Sequence, residues 1–205
     1  MAFQQEYLLL SDEELVVLFH NGERHGSFTV IVERYQKRIY YAARRMMDGD
    51  HDEADEVSQD TFVKAYEALG SFRGDAKLYT WLYRIMMNAV IQRSRKKKSR
   101  KTVGLEGIEN TVETGELSAH DRLEQRETTR IIEKAIEILP KKQREVFLMR
   151  FYDELPYEEI ARLTGTSVGG LKANYFHAVK KIGEYLHQYG KIAPEFLAAF
   201  EQPNN

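Results

Sequence analysis

Residues 72–101, FRGDAKLYTWLYRIMMNAVIQRSRKKKSRK, decide how this chain of 205 residues is read. They open on a loop rich in aromatic residues and glycine. Apolar residues then recur at Trp81, Leu82, Ile85, Met86 and Ala89, the spacing of one face of an α-helix. That helix runs on into Arg93, Arg95, Lys96, Lys97, Lys98, Arg100 and Lys101. With ten bases and one acid the stretch carries a net charge of +9, in a chain whose net charge is only −2. Aromatic faces that stack unpaired bases, joined to cations that follow phosphates, are what a separated nucleic-acid strand requires. Binding through such a run falls steeply with salt.

Outward from this stretch the charge changes sign. Residues 11–69 carry −6 and residues 102–127 carry −5, whereas the rest of the chain from 128 is at +1. Upstream, Ser11 and Glu14 form a capping box that opens a helix through Phe19. Gly22 and Gly26 are expected to interrupt before a second helix, striped by Phe28, Ile31, Val32, Tyr35 and Ile39 and ending near Met47. After an acidic loop at 48–53, a third helix is expected over 54–69, with Val57, Phe62, Ala65, Tyr66 and Leu69 inward. With the fourth helix, from Tyr79 into the basic run, these make a first domain over residues 1–98.

Downstream, residues 99–121 contain Gly104, Gly107 and Gly115, scattered acids and little periodicity, which predicts a flexible linker. Roughly 20 such residues reach about 70 Å when extended. A second domain follows over residues 122–190, with a helix expected at 122–138, Pro140 at the start of the next and then 144–151, a third at 157–163 and a long one to Tyr189. Pro156 opens the third of these helices, and Ser167 caps the long one. Ile160, Ala161, Leu163, Gly165, Val168 and Leu171 match the packing needs of a helix-turn-helix. In that motif the early turns of the second helix reach base edges, here with Lys172, Asn174, Tyr175 and His177. The tail, 191–205, holds an apolar turn at Phe196, Leu197 and Phe200. No segment alternates long enough to argue a sheet, so the predicted class is all-α, two helical domains joined by a linker.

The composition also excludes. Without cysteine there is neither a disulfide framework nor a thiolate metal site. The start, MAFQQEYLLLSDEE, has no basic leader, and no run approaches the roughly 20 apolar residues of a membrane span, so a soluble cytoplasmic protein is expected. The single Glu184-x-x-His187 pair lacks the second pair and further carboxylates of a di-iron bundle. No Walker loop, dinucleotide fingerprint or nucleophile elbow occurs. The expectation is a protein with no catalytic activity and no cofactor or metal.

Four segments, Asp55-Glu-Val-Ser-Gln-Asp-Thr-Phe62, Phe72-Arg-Gly-Asp-Ala76, Thr80-Trp-Leu-Tyr-Arg-Ile85 and Tyr157-Glu-Glu-Ile-Ala161, stand in the order and spacing of one family. Over roughly residues 11–189 the chain resembles the extracytoplasmic-function (ECF) sigma factors of bacterial RNA polymerase, which retain only sigma regions 2 and 4. The resemblance implies that Asp55, Gln59 and Asp60 dock on a coiled coil of the largest core polymerase subunit. Ser58 stands where the family more often has an aliphatic residue. It implies that Phe72, Arg73, Lys77 and Tyr79 hold a base flipped from the minus-10 element, with Arg84, Asn88, Arg93 and Arg95 along the strand; Trp81, by its apolar register, is read instead as a core aromatic. Ser167, Lys172, Asn174, Tyr175 and His177 would face the minus-35 element, although Ala173-Asn174 and Phe176-His177 replace the family's usual Ser-Arg and His-Arg pairs. The implied partners are core RNA polymerase, promoter DNA in duplex and single-stranded form, and an anti-sigma factor. The alternative is a stand-alone helix-turn-helix regulator that binds an operator without polymerase, its N-terminal half an interaction module. Limited proteolysis is expected to cut first within residues 102–119 and leave two helical fragments; early cleavage within residues 57–69 would contradict this division.

Overall fold

The computed structural model of the protein describes residues 7–47, 49–100 and 130–189, with side chains in the basic helix described as far as Arg95. Every regular element among these residues is helical. The chain divides into two compact units, residues 1–108 and 109–205. The expected linker and tail lie almost wholly outside the described residues.

The first unit contains α1 (Asp12–His20), α2 (Arg24–Met46), α3 (His51–Ala68) and α4 (Leu78–Arg100). The capping box forms as read: the Ser11 hydroxyl accepts from the Glu14 amide at 3.2 Å, and Glu14 accepts from the Ser11 amide at 2.7 Å. Two expected boundaries move. Helix α2 begins at Arg24 and passes through Gly26, which the sequence suggested as a break. A Cβ at Gly26 would stand 2.8 Å from the Tyr7 ring, so this glycine serves a close approach rather than a turn. Helix α3 begins at His51 because Asp50 caps it, accepting from the Glu53 amide at 3.1 Å.

Packing follows the periodicity. Leu15, Phe19, Val30, Ile31, Ile39, Val57, Ala65, Leu69, Leu82 and Met86 are buried. Tyr66, expected inward, is 41% exposed, although its ring meets those of Phe19 at 5.5 Å and Phe28 at 5.1 Å edge-on and so joins α1, α2 and α3. A polar node completes the core. The Tyr35 hydroxyl donates to Asp12, and Arg34 holds the same carboxylate at 2.5 Å. Tyr35 in turn stacks on Tyr79 of α4 at 5.9 Å, and the Arg38 guanidinium lies 3.7 Å from the centre of the Tyr79 ring.

In the second unit a helical segment over 130–137 precedes α5 (Lys141–Phe147), whose end widens into a π-helical turn, Leu148–Tyr152. Pro140, expected at the start of this helix, stands directly before α5 with its φ already preset, and the helix begins at Lys141. Next come α6 (Tyr157–Thr164) and α7 (Val168–Tyr189). Gly165 ends α6 at φ +68°, the left-handed conformation that glycine adopts without strain. The Ser167 hydroxyl then accepts from the Gly170 amide at 3.2 Å and opens α7. Val146, Phe147, Ile160, Leu171, Ala178 and Ile182 form the core beneath this pair of helices.

Burial first, and then the Asp12 hydrogen bond and charge, push the Tyr35 hydroxyl above the ordinary tyrosine value. A raised folded value means that this contribution to stability is complete below about pH 10, and is lost as pH rises toward the folded value. Tyr35→Phe is expected to cost about 1.5–3 kcal/mol at neutral pH, the range for a hydrogen bond to a charged group. It should also flatten part of the alkaline decline relative to the parent. Chemical denaturation of both proteins from pH 7 to 11 checks this, and parallel curves would contradict it.

Candidate nucleic-acid interface

Between α3 and α4 the chain makes one helical turn, Leu69–Ser71, and then a loop. Gly74 takes φ +78°, a value that L side chains rarely adopt, and this lets the loop double back on α4. The Phe72 amide donates to the Leu69 carbonyl at 3.1 Å, which fixes where the loop departs. Phe72 and Trp81 meet with ring centroids 5.2 Å apart and planes inclined at 49°. They wall a cavity of about 310 Å³, completed by Ser71, Arg73, Asp75, Ala76 and Arg84. That volume lies at the lower end of small-ligand sites, roughly 300–1,000 Å³.

The structure redistributes the expected roles. Trp81, read as a core aromatic, is only half-buried and forms a cavity wall. Its place on the first turn of α4, beside the loop, is the signal that periodicity alone missed. Tyr79 is the reverse case. Read as a base-stacking residue, it is 6% exposed, with its faces used by Tyr35 and Arg38. Lys77 is exposed at the start of α4 and is not part of the cavity lining.

Along α4, Arg84, Asn88 and Arg95 fall close to one side, because four and eleven residues are near whole numbers of about 3.6-residue turns. Asn88 and Arg95 are exposed. Arg93 lies about half a turn away from Arg84, against α3. There it meets Glu56 at 2.5 Å, Glu53 at 3.1 Å and Asp60 at 3.5 Å. Burial opposes its charge, but hydrogen bonds to Glu53 and Glu56 raise its pKa above the ordinary arginine value. Its expected place along a DNA strand is therefore corrected: it clamps α3 to α4. Asp60 belongs partly to that clamp, whereas Asp55 and Gln59 stay on the outer face, joined by a 2.8 Å hydrogen bond. Ser58 is buried.

In the second unit Lys172 and His177 are exposed on α7, and Ser167 serves as its cap. The Asn174 amide group donates to the Gly170 carbonyl at 2.9 Å, so one of its donors is spent within the helix. Tyr175 departs from expectation. It stacks on Phe147 at 6.0 Å and meets Tyr157 edge-on at 6.3 Å, so it faces the core. Burial raises the pKa of both Tyr157 and Tyr175. The outward position is taken by Phe176, which is 65% exposed and was not among the expected contacts. Among the described residues no cluster of side chains suits a metal ion, and no helix is long and apolar enough to cross a membrane.

Comparison with known proteins places both units within one family. The family model described as Sigma-70 region 2 matches residues 31–100, and that described as Sigma-70, region 4 matches residues 129–182. The ECF RNA polymerase sigma-E factor of Salmonella typhimurium is 35% identical over 181 residues, covering 84% of this chain and 93% of the relative. The RNA polymerase sigma-H factor of Pseudomonas aeruginosa is 31% identical over 182 residues, covering 85% and 93%. In fold the chain is similar to the sigma factor RpoE of Bartonella quintana, solved with the anti-sigma factor NepR: TM-score 0.61, 23% identity, 78% of this chain and 96% of that one. The chain belongs to the sigma-70 family, within its ECF group, and is an RNA polymerase sigma factor. A regulator working without polymerase is thereby set aside.

Because Tyr175 is a packing residue, Tyr175→Ala is expected to destabilise the second unit by about 2–4 kcal/mol. Tyr175→Phe should be nearly neutral in both stability and promoter binding. Thermal unfolding and promoter binding of the two variants distinguish packing from base contact, since a base-contacting hydroxyl would make Tyr175→Phe defective in binding.

Proposed function

We propose that this sigma factor brings core RNA polymerase to a promoter, reads the minus-35 element with α7 and holds the melted minus-10 strand at the cavity between Phe72 and Trp81. The cavity carries the reading. Two aromatic walls with Arg73 and Arg84 beside them suit one unpaired base and its phosphate, and α4 leads away from it with Asn88 and Arg95 exposed. The basic run beyond Arg95 would follow the strand. Core polymerase would dock on the outer face of α3 around Asp55 and Gln59, with Asp60 at its edge. Lys172, Asn174 and His177 would contact the minus-35 duplex. The protein would act in the cytoplasm, catalyse no reaction itself and need no cofactor. By analogy with the Bartonella quintana factor solved with NepR, an anti-sigma protein would restrain it.

Capture of an unpaired base contributes only once the duplex has opened. Phe72→Ala and Trp81→Ala holoenzymes are therefore expected to lose about tenfold or more in open-complex formation, since stacking is worth roughly 1–3 kcal/mol per base. A template mismatched over the minus-10 element removes the melting cost and should restore part of the loss. Permanganate footprinting on duplex and pre-melted templates checks this, and unchanged footprints for both variants on duplex would overturn the reading.

Docking on α3 is tested separately. The Asp55→Lys, Gln59→Lys double variant should keep its helix content and lose core polymerase affinity by about 1–3 kcal/mol. Undiminished recovery of core polymerase in a pull-down would contradict the assignment.

A further inference from the structure

The turn that launches the loop between α3 and α4 is tied to a helix far from it in sequence. His20, the last residue of α1, donates from Nε2 to the Leu69 carbonyl at 3.0 Å, across 49 residues of chain. A carbonyl can only accept, so Nε2 carries the proton here. The same carbonyl accepts from the Phe72 amide at 3.1 Å, which engages both of its lone pairs. By contrast, the Ser71 hydroxyl finds its acceptor, the Ala68 carbonyl, within the turn at 2.7 Å. Two donors from different elements thus hold the Leu69 peptide group against tilting, and its tilt sets the direction in which Phe72 leaves toward Trp81. The bond is not needed to keep α1 on the bundle. Phe19 beside it is 1% exposed and packs on Phe28 and Tyr66, whereas His20 is exposed. What the imidazole adds is direction.

We propose that His20 is a positioning residue for the loop: through the Leu69 carbonyl it holds Phe72 against Trp81, and so keeps the cavity in the form that receives an unpaired base. It acts through the backbone and not by touching the strand. A site that is formed only part of the time binds more weakly in proportion to that fraction, and one net hydrogen bond shifts such an equilibrium roughly two- to tenfold. The functional half of the inference rests on the cavity holding a base, as proposed above, but the contact itself can be read without DNA. Trp81 is the only tryptophan of the chain, so its fluorescence reports the cavity wall alone.

Variants of the full-length chain test both halves. His20→Leu removes the donor, whereas in His20→Gln the amide nitrogen stands where Nε2 stood and can donate again. In free His20→Leu the Trp81 emission should shift to the red and be quenched more readily by acrylamide, and His20→Gln should match the parent. Thr29→Val, which loses a hydroxyl bond to the His25 carbonyl elsewhere in the unit, should leave the emission unchanged. In holoenzyme, His20→Leu should lower open-complex formation on duplex promoter roughly two- to tenfold, the range for one hydrogen bond, and His20→Gln should restore it. Because His20 acts through Phe72, adding His20→Leu to Phe72→Ala should cause no further loss, whereas an independent structural defect would add to it. Unchanged emission in His20→Leu, equal changes in the Leu and Gln variants, or additive losses in the double variant overturns the proposal. If Phe72→Ala is defective while His20→Leu opens promoters as the parent does, the cavity reading stands and the role of His20 fails. If Phe72→Ala itself opens promoters as the parent does, the cavity reading fails and takes the functional half with it, while an emission change reversed by His20→Gln still upholds the contact. Far-ultraviolet circular dichroism of each free variant checks that the helices are intact.

Discussion

The packing of Tyr79 against Tyr35 and under Arg38 is the contact on which the rest of the first unit depends. It secures the first turn of α4 to α2, and through the Tyr35 hydroxyl it reaches Asp12 at the start of α1. Three helices thus share one aromatic and charged column. With Tyr79 turned inward, helical spacing carries Trp81 about 160° around α4, toward the loop, where it meets Phe72. The exposed aromatic surface exists because a neighbouring aromatic is buried. A change at Tyr35 or Arg38 would be felt at the cavity without touching it.

The second organising contact is the clamp of Arg93. Three carboxylates of α3 converge on one guanidinium of α4, about half a turn from the side that carries Arg84, Asn88 and Arg95. The helix therefore separates its cations by task. Arg93 holds the bundle together, while Arg95 is exposed about half a turn away. Pairs of this kind at partial exposure contribute modestly each. Their value here is positional, because they fix the rotation of α4 relative to the outer face of α3. That fixed rotation keeps the Asp55 and Gln59 surface apart from the side of α4 that carries Arg84, Asn88 and Arg95.

The second unit uses aromatic packing to the same end. Tyr175 lies against Phe147 and Tyr157, and Lys172 reaches to within 5.7 Å of the Tyr157 ring centre. These contacts set the roll of α7, so that Phe176 and His177 project outward in its third turn. A helix-turn-helix reads bases with whichever side chains its roll exposes. Here the roll is decided by tyrosines that a scan for polar groups would assign to DNA.

Much of the architecture was legible from the chain alone. The capping box at Ser11, the αL glycine at 165, the cap at Ser167 and the three-and-four spacing of apolar residues are local signals, governed by short-range sterics and hydrogen bonding, and they placed most of the helices. The linked motifs, read together, placed the chain in its family. What the tertiary structure decided was the direction of individual side chains. Tyr79, Tyr175 and Arg93 can each either face a ligand or face a neighbouring helix, since an aromatic ring or a guanidinium satisfies stacking or charge pairing equally well in both settings. The choice depends on partners far away in sequence: Tyr35 and Arg38 for the first, Phe147 for the second, Glu53, Glu56 and Asp60 for the third. Helical periodicity gives the angle of a residue around its own axis, but only the packed neighbours determine which angle is inside.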